Sequence, residues 1–348
     1  MRAAREVPSG KKLSAIHVGR TGEVAGGMTQ VLNAYSKWPF EAFEVSILRS
    51  RDGSSGPRAV RLFINAFFSL LGFKKNNGLV VVVHLSQGGS FIREGILLRL
   101  AHLRGFATVA HLHGSSFIDF ARKHARLVKG VLDSADLILA LSDETIEACA
   151  ELTTTPVVYM PNAVEPGDER AKENLIVFGG AVSRRKGVDT LIEAWSSLSE
   201  ETKEGWTLKI VGPVTDQALD LRRLPGLDFT GSMNHDELLH LLDRSQIAVL
   251  PSRDEALPIF LLEAMVRRNC VISTRVGGIP ELLRDGTVGL LIDANDSVQL
   301  GHALTRALSS HELRSDLSAR ARLAVDDEYS SRVVIPRLEH AWKSVLQL

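Results

Sequence analysis

The amino-acid sequence predicts an α/β protein of two tandem, doubly wound (Rossmann-like) parallel-sheet domains with a cleft between them. Short β-branched runs alternate with helix-length spacers, the signature of a parallel sheet covered on both faces. That rhythm stops at a polar stretch containing proline and then restarts. The 348 residues, 45% hydrophobic and 24% charged, also hold enough apolar material for two cores. In such folds ligands bind beyond the carboxyl ends of the strands, so function is expected in the cleft.

In the first domain, residues 1–161, the strand-like runs are Leu13 to Val18, Phe43 to Leu48, Leu79 to Leu85, Ala107 to Leu112, Leu137 to Leu141 and Val157 to Met160. Residues 162–174, with Pro166, Gly167 and a cluster of charges, read as the linker. The second domain, 175–329, repeats the pattern at Leu175 to Phe178, Leu208 to Val211, Leu227 to Phe229, Ile247 to Leu250, Val271 to Ser273 and Gly289 to Ile292. A helical pattern over 330–348 ends the chain and is expected to cross back to the first domain.

Basic and acidic residues are equal at 41 each, so the whole chain gives no ground for a nucleic-acid partner. The neutrality is uneven: residues 1–129 carry 19 basic and 7 acidic side chains, net +12, which leaves −12 for the remainder. Two isolated cysteines, Cys149 and Cys270, exclude a disulfide framework and a zinc site of paired cysteines. The basic stretch Met1 to Lys12 is not followed by an apolar core, and no run reaches the roughly 18 apolar residues of a spanning helix. A cytoplasmic protein is therefore expected.

Several loops of the first domain are candidates for binding. Gly19 to Gly27 leads from the first strand into a helix near Met28, and Gly26-Gly27 makes either a tight turn or a place where backbone amides approach an anion or sugar. It is no dinucleotide fingerprint, since G-x-G-x-x-G is missing and the second strand ends at Arg49, not at an acidic residue. The run Arg58 to Lys75, apolar between Arg58, Arg61, Lys74 and Lys75, reads as an interfacial helix or a core helix. The first alternative gives peripheral contact with an anionic membrane through residues 58–75, on the inner face of the plasma membrane. Ser90 and Arg93, at the start of a helix after Gly88-Gly89, suit a hydroxyl-rich or phosphorylated group. His111 and His113, one residue apart, are expected on opposite faces of their strand, a poor metal pair of which one at most reaches the cleft. His113, beside Gly114, is that one, either as a ligand contact or as a satisfied strand-end histidine.

The second domain carries more specific chemistry. Phe178-Gly179-Gly180-Ala181-Val182-Ser183-Arg184-Arg185-Lys186-Gly187 runs from a strand through a glycine and basic loop into an amphipathic helix, supplying the charges and approachable amides that a diphosphate needs. Glu255 and Glu263 are separated by seven residues, which places one on a loop and the other on the following helix, where they reach different parts of one ligand. Gly277-Gly278-Ile279-Pro280-Glu281 follows.

At these residues the sequence resembles the retaining glycosyltransferases of family 4, which have the GT-B fold. The order and spacing of Lys186-Gly187, Glu255-x7-Glu263 and Gly277-Gly278-Ile279-Pro280-Glu281 carry the likeness. It extends to Tyr159-Met160-Pro161-Asn162-Ala163-Val164, to Gly26-Gly27 and to His113-Gly114. The Gly-Gly-Ser-Phe-x-Arg and His-x-His-Gly-Ser-x-Phe stretches resemble bacterial members that build exopolysaccharide or O-antigen chains. The resemblance implies transfer of a sugar from a nucleotide-diphosphate donor to a glycan or lipid-linked acceptor, with no cofactor and no metal, as this chain has no D-x-D. It further implies that Lys186 neutralises the diphosphate, that Glu263 holds the ribose, and that Glu255 with the backbone of Ala256, Leu257, Pro258 and Ile259 orients the sugar and its phosphates. Gly180, Gly212, Ser232 and Met233 would flank the nucleotide, Gly26 and Gly27 would close over the donor, and His113 would touch the sugar near the reacting centre.

One departure stands out. The family places an arginine after the glycine matching Gly180, and here Ala181 occupies that position. Losing such a contact costs about 2 to 4 kcal/mol unless it is replaced; either Arg184 or Arg185 compensates, or the enzyme is slow or has lost transfer activity. A nucleotide-sugar epimerase, a phosphorylase and a sugar-binding protein without chemistry are the competing readings.

Overall fold

The computed structural model describes residues 12–22, 26–167 and 170–346. Most of the basic N-terminal stretch, positions 23–25 of the Gly19 to Gly27 loop, positions 168–169 of the expected linker and the last two residues lie outside the described residues. The chain divides into two compact units, Met1–Asn162 with Ser331–Leu348, and Ala163–Ser330. Each contains a six-stranded sheet that is parallel throughout.

In unit 1 the order is β1 (Leu13–Arg20), α1 (Gly27–Tyr35), β2 (Phe43–Arg51), α2 (Pro57–Gly72), β3 (Leu79–Leu85), α3 (Gly88–Leu103), β4 (Ala107–Leu112), α4 (Phe117–Lys123), α5 (Ala125–Leu132), β5 (Leu137–Ala140), α6 (Asp143–Ala150) and β6 (Val157–Tyr159). Strands lie in the order β2-β1-β3-β4-β5-β6. Central strands of a parallel sheet are covered on both faces, which is why β3 reads as an unbroken apolar run apart from His84 and is buried along its length. The order reverses between β1 and β3, and the crevice at such a switch point is where these sheets bind ligands.

Unit 2 runs β7 (Glu173–Gly179), α7 (Val188–Ser197), α8 (Glu200–Lys203), β8 (Thr207–Val211), β9 (Leu227–Gly231), α9 (His235–Arg244), β10 (Ser245–Leu250), α10 (Ile259–Val266), β11 (Cys270–Thr274), α11 (Ile279–Leu282), β12 (Leu290–Ile292), α12 (Ser297–Ser309) and α13 (His311–Glu328). Its strand order, β12-β11-β10-β7-β8-β9, is the Rossmann order with the switch point between β7 and β10. Helix α14 (Ser331–Ser344) belongs to unit 1. Trp342 of α14 is fully buried against His17, Phe40 and Phe43, with ring centroids 5.0 to 5.3 Å apart, and Glu339 accepts the Ala42 amide at 2.8 Å. A C-terminal segment thus completes the core of the first unit.

Two sequence expectations change on these boundaries. The charge asymmetry is smaller: unit 1 has 22 basic and 14 acidic residues, net +8, and unit 2 has 19 and 27, net −8. A cut at residue 129 leaves out the six carboxylates and no basic residue of 130–162. The segment 58–75 forms α2, whose Ala66 and Leu70 are core while Val60, Ile64, Phe68 and Leu71 are exposed, so one helix has both the core face and the open apolar face. Among the described residues no helix is long and apolar enough to cross a membrane.

Candidate active site

The two loops that flank the unit 2 switch point are locked together. After β7, Gly180 continues the sheet edge by donating to Val211 at 2.9 Å, and the chain turns through Ser183 to Lys186 into α7. Gly187 caps α7 with φ of 72°, and a Cβ there would overlap the Pro251 carbonyl, so only glycine lets the loop after β7 lie on the loop after β10. Arg253, which the sequence does not single out, fastens the pair. Its amide donates to the Arg185 carbonyl at 2.8 Å, its guanidinium grips the Asp189 carboxylate at 2.7 and 2.8 Å, and it also donates to the Arg184 carbonyl. The available signal was an arginine inside the glutamate loop facing an acidic first turn.

This packing brings Lys186 and Glu255 together. The ammonium pairs with Glu255 Oε1, which also accepts from Ser252 Oγ at 2.7 Å, and both side chains are mostly buried. Gly277 backs the same loop, since a Cβ there would overlap the Glu255 carbonyl, and Gly278 donates to the Ala256 carbonyl at 2.7 Å. Ala256 is partly buried, while Leu257, Pro258 and Ile259 are buried at the start of α10. Arg184 is exposed and lies 3.9 Å from both Asp189 and Asp216, whereas Arg185 donates to the Asp254 carbonyl at 3.0 Å. Arg184 is therefore the more loosely held of the two.

Eight residues beyond Glu255, Glu263 is buried on α10 and meets His235 Nε2 at 3.0 Å. Burial opposes charge on His235, but the hydrogen bond and attraction of Glu263, helped by Asp236, outweigh it, so its pKa is raised. His235 opens α9 behind the Asn234–Glu237 capping box, and the exposed Ser232 and partly buried Met233 precede it. Gly212 donates to the Gly231 carbonyl at 2.9 Å, which aligns the ends of β8 and β9 next to Gly180. A lysine, two carboxylates and glycine backbone are thus gathered along one edge of this sheet.

In unit 1, Gly26 caps α1 and both Gly26 and Gly27 are exposed at the switch point. Ser90 and Arg93 are drawn together by Glu94, another residue not predicted from the sequence. Its carboxylate accepts from Ser90 at 3.0 Å, from Ser50 at 2.8 Å and twice from Arg93 at 2.9 Å, and burial raises its pKa against these contacts. Arg20 and Arg51 are cross-strand partners, and their like charges lower the Arg20 pKa after burial.

The histidine expectation is corrected. His111 and His113 are ring neighbours, with centroids 4.1 Å apart. Residues two apart on a strand share a face because the side-chain period is two, so the opposite-face reading miscounts the pleat. His84 joins them: its Nδ1 is 2.8 Å from His113 Nε2. The nitrogens of His84, His111 and His113 lie within 4.8 Å of one another, which would also suit a metal ion.

The family model described as Glycosyl transferases group 1 matches residues 161–324, which carry that domain. The chain is similar to the alpha-D-kanosaminyltransferase of Streptomyces kanamyceticus, 29% identical over 167 residues, covering 45% of this chain and 42% of that protein. It spans less than half the length of the first curated relatives it matches. Among solved structures, sucrose-phosphate synthase from Thermosynechococcus elongatus superposes with TM-score 0.72 at 17% identity, covering 96% of this chain and 99% of that one. Anabaena HepE in complex with UDP-glucose gives 0.75 at 16% identity, covering 95% and 99%. These likenesses show the GT-B fold.

Proposed function

We propose that this protein, whose residues 161–324 carry a Glycosyl transferases group 1 domain, moves a sugar from a nucleoside-diphosphate donor to an acceptor hydroxyl with retention at the anomeric carbon. The observation that carries the reading is the Lys186–Glu255 pair at the Rossmann switch point, with Glu263 on the helix that follows. Lys186 meets the donor diphosphate and releases Glu255 to orient the sugar. Glu263 accepts from the ribose hydroxyls, and the ends of β7, β8 and β9 at Gly180, Gly212 and Gly231 flank the base. Arg184, exposed and loosely paired, supplies the charge that Ala181 lacks.

Retaining hydrolases use two carboxylates about 5 Å apart, one as nucleophile. Glu263 is engaged by His235 and assigned to the ribose, and Glu255, held by Ser252 once Lys186 has turned to the diphosphate, is assigned to orienting the sugar, so neither takes the nucleophile's part. In the mechanism proposed, the acceptor oxygen attacks on the face that the diphosphate leaves. The anomeric C–O bond to phosphate breaks as the new one forms, and the acceptor proton passes to a departing phosphate oxygen. Lys186 and Arg184 stabilise the charge that grows there, with no metal assigned to the step.

The acceptor is a glycan or a lipid-linked glycan, held by unit 1, where Ser90, Arg93 and the Arg20–Arg51 pair favour an anionic group. The exposed stripe Val60, Ile64, Phe68 and Leu71 on α2 lies beside α3, which exposes Ile92, Ile96 and Leu103. Exposed Arg58, Arg61, Lys74 and Lys75 frame the stripe, and a basic apolar surface of this kind suits the anionic cytoplasmic leaflet. HepE was solved with UDP-glucose, so UDP-sugars are the first donors to test. Incubation with a labelled sugar nucleotide should release nucleoside diphosphate only when acceptor is present; release with no glycosylated product points to epimerisation or hydrolysis. Unchanged turnover in Lys186→Ala and Glu255→Ala would remove the site assignment. Flotation with vesicles that did not depend on anionic lipid would remove the membrane contact.

A further inference from the structure

The carboxyl ends of three neighbouring strands of unit 1 carry a cluster of guanidinium groups. Arg20 is the last residue of β1, Arg51 is the last of β2, and Arg93 stands on α3, which follows β3. In the sheet order β2-β1-β3 these ends lie side by side. Ile16 and Val18 belong to the core with Ala66 and Leu70 of α2 and Phe91 and Leu97 of α3. The two-residue period of a strand puts Arg20 next on that same face. A register shift between β1 and β2 sets Arg51, in place of Ser50, opposite Arg20. Buried Ser50 donates to Glu94 at 2.8 Å, and the same carboxylate holds Ser90 and Arg93, so α3 is tied to this end of the sheet.

Charge in the cluster is unbalanced. Glu94, shared among Ser50, Ser90 and Arg93, cancels one of the three positive charges. Asp52, next along β2, accepts from Ser54 and, at 2.8 Å, from Arg58. Among the described residues neither Arg20 nor Arg51 has an ion-pair partner, and Arg20 Nε is buried without a hydrogen bond. Burial, then the like charges of Arg51 and Arg93, lower the Arg20 pKa against the weaker opposing pull of Asp52. A bound anion would relieve that repulsion. A carboxylate would cancel one of the two remaining charges, whereas a phosphoryl group brings about two and offers three acceptor oxygens to forked donors.

We propose that Arg20, Arg51 and Arg93, with the Ser90 hydroxyl, form a site for a phosphoryl group, as a phosphate monoester or a diphosphate. The binding needs only the residues of unit 1. That the phosphoryl group belongs to the acceptor rests on the transferase reading above, and it makes the acceptor a sugar phosphate or a glycan on a lipid diphosphate.

The test is calorimetric titration of inorganic pyrophosphate into the full chain carrying Lys186→Ala, which removes the lysine assigned to the donor diphosphate. Pyrophosphate should bind, and adding Arg20→Gln or Arg51→Gln should weaken it about 10- to 100-fold. Lys129→Gln, which removes an exposed cation of α5, should leave the affinity unchanged. Without anion, both arginine variants should melt no lower than their parent, since each relieves repulsion, and this shows that they fold. Glucose 1-phosphate and phosphatidylcholine vesicles containing a polyprenyl diphosphate separate the two sources, and binding of either supports the site. No binding of pyrophosphate, no loss in Arg20→Gln and Arg51→Gln, an equal loss in Lys129→Gln, or glucuronate bound as tightly as glucose 1-phosphate would overturn the proposal. Pyrophosphate bound as expected with no sugar transferred to any acceptor would sink the transferase reading and leave the site standing. Transfer undiminished by Arg51→Gln would overturn its assignment to the acceptor.

Discussion

Replacing Arg253 with alanine should both weaken unit 2 and loosen the nucleotide site proposed there. The guanidinium makes two charged hydrogen bonds to Asp189 at 2.7 and 2.8 Å and a longer one to Thr190 at 3.3 Å, and it reaches the Arg184 carbonyl. The Arg253 and Asp189 side chains are 26% and 27% exposed, so the pair lies between a surface ion pair worth at most about 1 kcal/mol and a buried one that costs about 3 to 5 kcal/mol to break. We expect a loss of about 2 to 3 kcal/mol. For a unit of the size of Ala163–Ser330 that lowers the melting temperature by about 5 to 10 °C. Lys186 sits on the loop that Arg253 braces, so nucleoside diphosphate should bind about tenfold more weakly. Arg253→Lys, which keeps the charge and loses the fork, should recover less than half of either effect. Differential scanning calorimetry with and without nucleotide reads both. A melting temperature within about 1 °C of wild type, with unchanged affinity, would refute the clamp.

Two other predictions follow from the packing. The folded-state pKa of His235 is raised, so the stability from its pair with Glu263 is complete below about pH 6.5 and is lost as pH rises through the folded value. The melting-temperature gap between wild type and His235→Gln should then be wider at about pH 5.5 than at about pH 8.5; an equal gap would refute the pairing. Trp342→Ala removes a fully buried ring of α14 and should destabilise unit 1 by about 3 to 5 kcal/mol in urea titrations. A loss under about 1 kcal/mol would mean that α14 does not close that core.

The strands and their loops were legible because parallel strands are apolar on both faces, and runs such as Leu79 to Leu85 have few other uses. Glu255, Glu263 and Lys186 were legible from residue type and spacing. What stayed hidden depends on strand order, which no local pattern encodes. Arg253 became a clamp only because β7 and β10 are neighbours, and Glu94 gathers Ser50 with Ser90 and Arg93 only because β2 ends beside α3. His84 is a polar residue inside an otherwise apolar strand run, a costly placement unless it finds a partner, and His113 is that partner.

Isothermal titration of nucleoside diphosphates into wild type and Lys186→Ala tests the donor site most directly. One of UDP or GDP should bind the wild type, and the variant should lose about 10- to 100-fold in affinity, the worth of one or two charge-assisted contacts. Failure of every nucleoside diphosphate to bind, or equal affinity in Lys186→Ala, would contradict the account.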